Sequence, residues 1–503
     1  MAMTQWRERG VTIGVCVGLL LLVAVSCTLS LEDSVAMLVC AFFFGLGVIL
    51  LSLIPDERER TLMLRLFMAA FLLRLVFTLL AYALDLIRVI GGADDEGWQY
   101  AWAISRYWRH YLPDPPNVRD IPGVRPPNSF LEVLSGVYGK NRGWFFYVGY
   151  LFNLIDTPSQ IALAFVNTFL SSLTPCVIYR VTRSYFSEKA SLIAAGAAVI
   201  FPGFIAWSAL TIKEPWLIFL EIFVFYLCWE SFRSRRWVLL ALAFFLVLVT
   251  YSMRFYVGYV MIAALPFIVL GTRSTNPRRS ALTALAGVVV AYILGSMAGV
   301  IHVDVISIVT DQMQSLRTFG NATSGANGTN TGVSSGVVLP YDPSTPQGAL
   351  MLLLVGMAYL LLSPFPWSLG GKQILALPDV AIWWVLVFAY ILPGIPYAWK
   401  KYPGLSIAIL SYLAPLILVY SFSFGNIGLA YRQRAQLMPF FLFFAAAGYD
   451  ARRKKKGEAK GQPSTEDILE RLRQMARTPA PQSLAVAPEP ALRSNSVDPA
   501  SPS

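Results

Sequence analysis

Three consecutive carboxylates, Asp94, Asp95 and Glu96, follow a long apolar run within Gly91-Gly92-Ala93-Asp94-Asp95-Glu96-Gly97-Trp98-Gln99-Tyr100. Acids kept at the edge of an apolar environment are costly and mark a site by default. For any one of them alone, an ordinary hydrated helix end is the commoner explanation. A carboxylate so placed can take a proton from an attacking hydroxyl, while Lys and Arg stabilise the charge growing on a phosphate leaving group. Asp95 or Asp94 is then the candidate base, with Glu96 a third acid of the same cluster. Arg432, Arg434, Lys213 and Arg254 are the candidate phosphate-binding residues. Paired carboxylates such as Asp94 and Asp95 could instead hold a divalent cation that bridges the phosphate, and no other cofactor is indicated.

The chain that must position these groups has 503 residues, 56% hydrophobic and only 14% charged, against about 25% charged in soluble globular proteins. It reads as a bilayer protein. Its aromatic content of 14%, with 13 Trp and 23 Tyr, suits anchoring at the headgroup level. A net charge of +11 would suggest nucleic acid in a soluble protein, but the basic residues form short clusters between apolar runs, the pattern of membrane topology. Cys16, Cys27, Cys40, Cys176 and Cys228 lie in or beside apolar runs without metal-ligand spacing and read as small core residues. His110 and His302 are too few and too far apart for a histidine metal site.

A spanning helix needs about 20 apolar residues. Twelve candidates fall near 11–30, 35–54, 62–90, 158–180, 190–208, 215–231, 237–252, 256–271, 281–302, 379–399, 404–422 and 436–450. The fold class is therefore an all-α polytopic membrane protein. If the helices alternate, the clusters Arg7/Arg9, Arg58/Arg60, Arg180/Arg183, Arg233/Arg235/Arg236, Arg273/Arg278/Arg279, Lys400/Lys401 and Arg452 to Lys456 share one side. The positive-inside rule makes that side the cytoplasm, with both termini inside a bacterial inner membrane and the first helix retained rather than cleaved. Segments 91–157 and 303–378 are then external. Each holds an apolar stretch, 144–155 and 347–363, that reads as an interfacial or re-entrant helix.

Residues 319–336 are Gly, Asn, Ser and Thr with almost nothing to bury, and suggest a mobile lid or an inert linker. The chain divides into an N-terminal two-helix addition (1–60), a transmembrane domain (61–450) and a basic tail (451–503). The tail is expected to be largely disordered, with an amphipathic helix within 464–477.

With that topology the charges not explained by orientation gather at the outer ends of helices: Asp94, Asp95 and Glu96, then Lys213-Glu214, Arg254, and Arg432 with Arg434 between the eleventh and twelfth spans. A lone Lys213 or Arg254 would more often snorkel to lipid headgroups, and a paired structural cluster is the other plain alternative. Together they suit a lipid-phosphate donor, whose anionic head sits at this depth and whose tail lies in the bilayer.

These residues resemble the GT-C glycosyltransferases that take sugars from polyprenyl-phosphate carriers, especially bacterial proteins grouped with protein mannosyltransferases and lipid A aminoarabinose transferases. Asp94-Asp95-Glu96-Gly97-Trp98-Gln99-Tyr100 is similar to the family's acidic motif in the first large external loop, with an aromatic residue a few positions on. The resemblance implies that Asp95, or Asp94, activates the acceptor. It extends over roughly 60–450 through Trp144 to Asn153, Arg180-Val181-Thr182-Arg183, Pro364-Phe365-Pro366-Trp367, Gly425-Asn426-Ile427-Gly428, Tyr431-Arg432-Gln433-Arg434 and Pro439-Phe440-Phe441. The chain departs from the family in placing the acidic loop after the third helix, in lacking a soluble external domain and in carrying the third acid, Glu96.

The reading is an inverting membrane glycosyltransferase for a cell-surface glycan, glycolipid or protein. Its partners are a polyprenyl-phosphate sugar donor, an acceptor and membrane lipids, with no nucleic acid. Two alternatives stand beside it. An O-antigen polymerase or ligase would use a diphosphate-linked glycan and have no need of the three acids. A transporter or flippase of lipid-linked glycans would carry ionisable groups near the midplane on broken helices.

Overall fold

The computed structural model describes residues 31–90, 97–109, 130–135, 142–273, 279, 281–282, 285–286, 289, 341, 345–365, 367, 376–422, 424 and 427–459. Among them there is no strand. In chain order the helices are α1 (Leu31–Ser52), α2 (Glu57–Ala83), α3 (Ile87–Ile90), α4 (Trp98–Trp108), α5 (Phe130–Ser135) and α6 (Gly143–Ile155). There follow α7 (Gln160–Arg183), α8 (Glu188–Ile200), α9 (Pro202–Ala209), α10 (Glu214–Ser234), α11 (Trp237–Met253) and α12 (Phe255–Arg273). The last are α13 (Pro346–Leu362), α14 (Leu377–Leu386), a π-helical turn (Val387–Ile391), α15 (Leu392–Lys401), α16 (Pro403–Phe422) and α17 (Ile427–Ala459). The chain divides into two compact units, Met1–Ala451 and Arg452–Ser503. Of the second, only the continuation of α17 falls among the described residues.

Among the described residues six helical stretches are long and apolar enough to cross a membrane: α1, α2, α7, α10, the continuous run of α14 to α15, and α16. The bent pair α8 and α9 passes the same test when its two helices are taken together, as a broken span or a re-entrant loop, and α6, α11, α12 and α13 are shorter apolar helices. The chain is thus an all-α polytopic membrane protein. Of the expected spans, 11–30 and most of 281–302 lie outside the described residues. The run 62–90 is not one helix: α2 stops at Ala83 and Asp85 turns with φ 52°, a left-handed conformation that Asp tolerates better than most residues. The run 436–450 belongs to a longer helix that starts at Ile427.

Burial separates the centre of the bundle from its rim. In α7 and α10, 78% of the apolar window is buried, against 28% in α1 and 33% in α2. The outward face of α2 carries Leu72, Val76 and Leu80, as a lipid-facing helix should. The central α7 packs against α1, α2, α8, α9 and α10. It can do so because Asn167, Thr168, Ser171 and Ser172 bury small or internally satisfied polar groups along it, which lets helix backbones approach closely in a membrane. Elsewhere the same end is reached with glycine: Gly271 and Gly404 face one another across α12 and α16 with no room for a Cβ.

The expected span 190–208 is broken, with α8 and α9 meeting at 44°. Pro202 has no N–H to give the Ala198 carbonyl, and the Gly203 N–H is turned away to Asp379 Oδ1 at 2.8 Å. The two orphaned carbonyls are served by Arg74, a fully buried residue of α2. Its Nη2 donates to Ala198 O at 2.9 Å and its Nη1 to Val199 O at 3.2 Å. Its Nε is held by Ser171 Oγ at 2.9 Å. A cation at the end of α8 and an anion at the start of α9 both suit the helix dipoles. A Cβ at Gly203 would stand 2.9 Å from Asp379 Oδ1 and 3.1 Å from the Tyr431 hydroxyl, so a glycine keeps this approach open.

Replacing Arg74 by Met keeps the stem and strips the donors from two buried carbonyls. The expected cost is roughly 2–5 kcal/mol of stability, read from unfolding of the detergent-purified protein. An unchanged unfolding profile would mean that the break does not depend on Arg74.

Candidate functional site

Beyond the break, the short helix α9 leads into Leu210 to Lys213, and this loop is tied down by one side chain of α7. Asn167 Nδ2 donates to Leu210 O at 2.6 Å and to Ile212 O at 3.3 Å, and Asn167 Oδ1 accepts from Trp216 Nε1 at 2.7 Å. The loop therefore delivers Lys213 to the N-cap of α10 and Glu214 to its first position, with Pro215 in the first turn. Lys213 is half-buried, and its Nζ donates to the Met253 carbonyl at 3.4 Å.

Met253 ends α11, and Arg254 follows as its extended C-cap. Its guanidinium meets Glu214 Oε1 at 3.3 Å, both side chains being less than a tenth exposed. The Tyr256 ring lies 5.9 Å from the Arg254 carbon. Glu221, seven residues along α10 from Glu214 and so on nearly the same helical face, is buried beside Arg254 and Tyr412. The structure places Lys213 beside the end of α11 and Arg254 next to it, together with two acids, Glu214 and Glu221, that are not among the candidate site residues. Glu221 had a visible signal, being a lone acid inside an apolar span.

Asp94, Asp95 and Glu96 lie outside the described residues, but the chain that leaves them is anchored nearby. Tyr100 of α4 meets Phe145 of α6 edge-on at 6.0 Å. Two residues earlier, Gly143 abuts Ser252 so closely that a Cβ would not fit. Tyr147 and Ser252 share a hydrogen bond of 2.6 Å. Ser252 is two residues before Arg254, so α4 starts at the same end of the bundle as the Lys213–Glu214–Arg254 group. Among the described residues no group of three or more His, Cys, Asp or Glu is arranged to hold a metal ion.

Arg432 and Arg434 do not lie between helices. Both belong to the first turns of α17, whose polar start hid it from a search for apolar runs. Arg432 is half-buried. Arg434 is 1% exposed and pairs at 3.3 Å with Asp379, itself 1% exposed. It also donates to the Ser363 carbonyl and lies over the rings of Trp383 and Tyr431. Two residues on, Gln436 accepts from Tyr420 at 2.6 Å, and Tyr420 faces Arg254. Neighbours two apart on a helix point about 200° from one another. The Arg434–Asp379 pair and the Arg254 group therefore flank α17 on opposite sides, and Arg434 is bound up in the bundle interior.

Apolar helices that enclose paired, buried charges define a polytopic membrane protein with ionic groups in its interior. Residues 144–297 match the family model described as dolichyl-phosphate-mannose-protein mannosyltransferase. That match supports the GT-C glycosyltransferase superfamily and suggests a membrane glycosyltransferase of that type. It contains Asn167, Lys213, Glu214, Glu221 and Arg254. No curated protein matches the chain.

Removing one partner of a buried ion pair strands the other. Arg434→Met and Asp379→Leu are each expected to cost about 3–5 kcal/mol. The double variant should cost less than their sum, since no charge is left alone. It should not regain wild-type stability, because the Gly203 N–H still lacks its acceptor. A double-mutant unfolding cycle measures this, and strict additivity would show that the pair is not coupled.

Proposed function

We propose that the chain transfers a sugar from a polyprenyl-phosphate-linked donor to a hydroxyl-bearing acceptor at the external face of a bacterial cytoplasmic membrane. The acceptor is a cell-surface glycan, glycolipid or protein. The acceptor oxygen attacks the anomeric carbon, the bond from that carbon to the phosphate oxygen breaks, and polyprenyl phosphate leaves with inversion. Asp95, or its neighbour Asp94, takes the proton of the attacking hydroxyl, with Glu96 as the third acid of the group.

What supports this reading most directly is the meeting of Lys213, Glu214 and Arg254, inside the segment that matches the mannosyltransferase family, at the bundle end where α4 begins, with Trp98 following closely on the acids in the chain. Lys213 and Arg432, both half-buried, contact the donor phosphate. Arg254 and Arg434, fully enclosed and paired with acids, hold α10, α11 and α17 in place around it. The clusters at Arg58/Arg60, Arg180/Arg183 and Arg233/Arg235/Arg236, at the opposite end of the bundle, support a cytoplasmic side there.

The test uses the full chain in proteoliposomes with a panel of polyprenyl-phosphate monosaccharides, following release of polyprenyl phosphate. Asp95→Asn is expected to lower kcat roughly 10²–10⁴-fold with little change in donor KM. Lys213→Ala is expected to raise donor KM roughly tenfold or more. Transfer that survives substitution of Asp94, Asp95 and Glu96 together would end the carboxylate-base mechanism. Consumption of a diphosphate-linked glycan with chain growth, and of no monophosphate donor, would replace it with the polymerase or ligase reading.

A further inference from the structure

A cavity of about 870 Å³ lies at the other end of the bundle from Lys213 and Arg254. It is formed where α2 and α8 start and where α7 and α10 end. Along α10, Arg233 stands 19 residues from Glu214, about 28 Å of helix. Five arginines line the cavity, Arg58, Arg65, Arg180, Arg183 and Arg233, facing four carboxyls. The size falls within the roughly 300–1,000 Å³ of ordinary ligand pockets.

The ion pairs across this cavity are weakly held. Arg58 meets Glu188 at 2.8 Å with side chains 81% and 35% exposed, and Arg180 meets Glu59 at 3.3 Å with 36% and 30%. Exposed pairs of this kind contribute about 0–1 kcal/mol, so an anion with better geometry can displace the carboxylates. Two further arginines have no carboxylate partner among the described residues. Arg65 is exposed and makes no ion pair there, and Arg183 donates to the Phe186 carbonyl at 3.4 Å. A guanidinium matches phosphate oxygens in a two-pronged contact that a carboxylate here does not use up.

We propose that this cavity holds the headgroup of an anionic phospholipid from the leaflet at that end of the bundle. Its phosphate sits between Arg65 and Arg183, and its chains run along α2. The lining passes from Arg65 to Leu62 on α2, and the outward face of that helix continues with the exposed Leu72, Leu73 and Val76. A free anion would use only the arginines, whereas a lipid uses both surfaces. Basic pockets between membrane helices are suited to such headgroups.

The experiment titrates the full-length protein in detergent with phosphatidylglycerol, phosphatidylcholine or inorganic phosphate and reads bound lipid by native mass spectrometry. Wild type is compared with Arg65→Gln/Arg183→Gln and with Lys400→Gln/Lys401→Gln, which removes two cations outside the cavity. Phosphatidylglycerol is expected to bind wild type and the lysine variant alike, and roughly fivefold more weakly for each cavity arginine removed. Phosphatidylcholine should bind weakly, and phosphate should not displace the lipid. Equal binding by all three proteins, or equal loss in the lysine variant, would overturn the site. Displacement by inorganic phosphate would make it a free-anion site and overturn the lipid assignment. Should the double variant fail to fold, Arg65→Gln alone, at an exposed position, decides: an unchanged affinity overturns the proposal.

Discussion

A helix cannot be broken inside an apolar bundle unless the backbone groups it releases find partners, because water is not there to take them. At Ile200–Pro202 the released groups are two carbonyls and one N–H. The chain answers with one buried cation from α2 and one buried anion from α14, Arg74 and Asp379. Neither is there for its own sake: each completes a helix end that a proline and a glycine have opened. Everything that follows in the chain takes its direction from this point. The short helix α9 is aimed by the 44° bend, the loop after it reaches Asn167, and Lys213 and Glu214 arrive at the head of α10 in a fixed place. Asp379 is itself held by Arg434, so the first turns of α17 are locked to the same break.

The two buried ion pairs on either side of α17 have different characters. Arg434–Asp379 is used up on all sides, by a carbonyl, two aromatic rings and the Gly203 N–H, and its role is structural. Arg254 faces two carboxyls, of which only Glu214 is within pairing distance. A buried pair is weak evidence for stability, since desolvation offsets most of the attraction. What it does supply is a defined geometry, and the cost of leaving either member alone keeps it so.

Much of this was legible in the sequence and some could not have been. The bilayer setting follows from the apolar runs and the shortage of charge. Counting helix ends puts Lys213 and Arg254 on the same side. Cys40, Cys176 and Cys228 are buried and free, in keeping with residues that only fill space. The break was half visible: Pro202 stood in the expected span 190–208, but an apolar run on both sides of a proline reads as continuous. Arg74 was lost inside its own apolar stretch, since nothing local says that a helix end 124 residues away needs a donor. Arg432, Gln433, Arg434 and Gln436 lower the local hydropathy, so the apolar run shows only from 436 although the helix starts at Ile427. Helix α17 tolerates them because Asp379 and Tyr420, distant in sequence, meet them inside the bundle.

The compensation at Arg254 bears on how an anion would enter. In a low-dielectric site a phosphate cannot simply be added beside a carboxylate, because like charges a few ångströms apart repel strongly. On the proposed reading, a donor phosphate reaching Lys213 comes close to Glu214, the next residue in the chain, whose charge Arg254 already offsets. Without Arg254 the charge of Glu214 would oppose the donor phosphate; with it, that charge is offset within the pair. A site with every arginine free would bind its leaving group too well, since interactions made equally with ground state and transition state do not raise turnover.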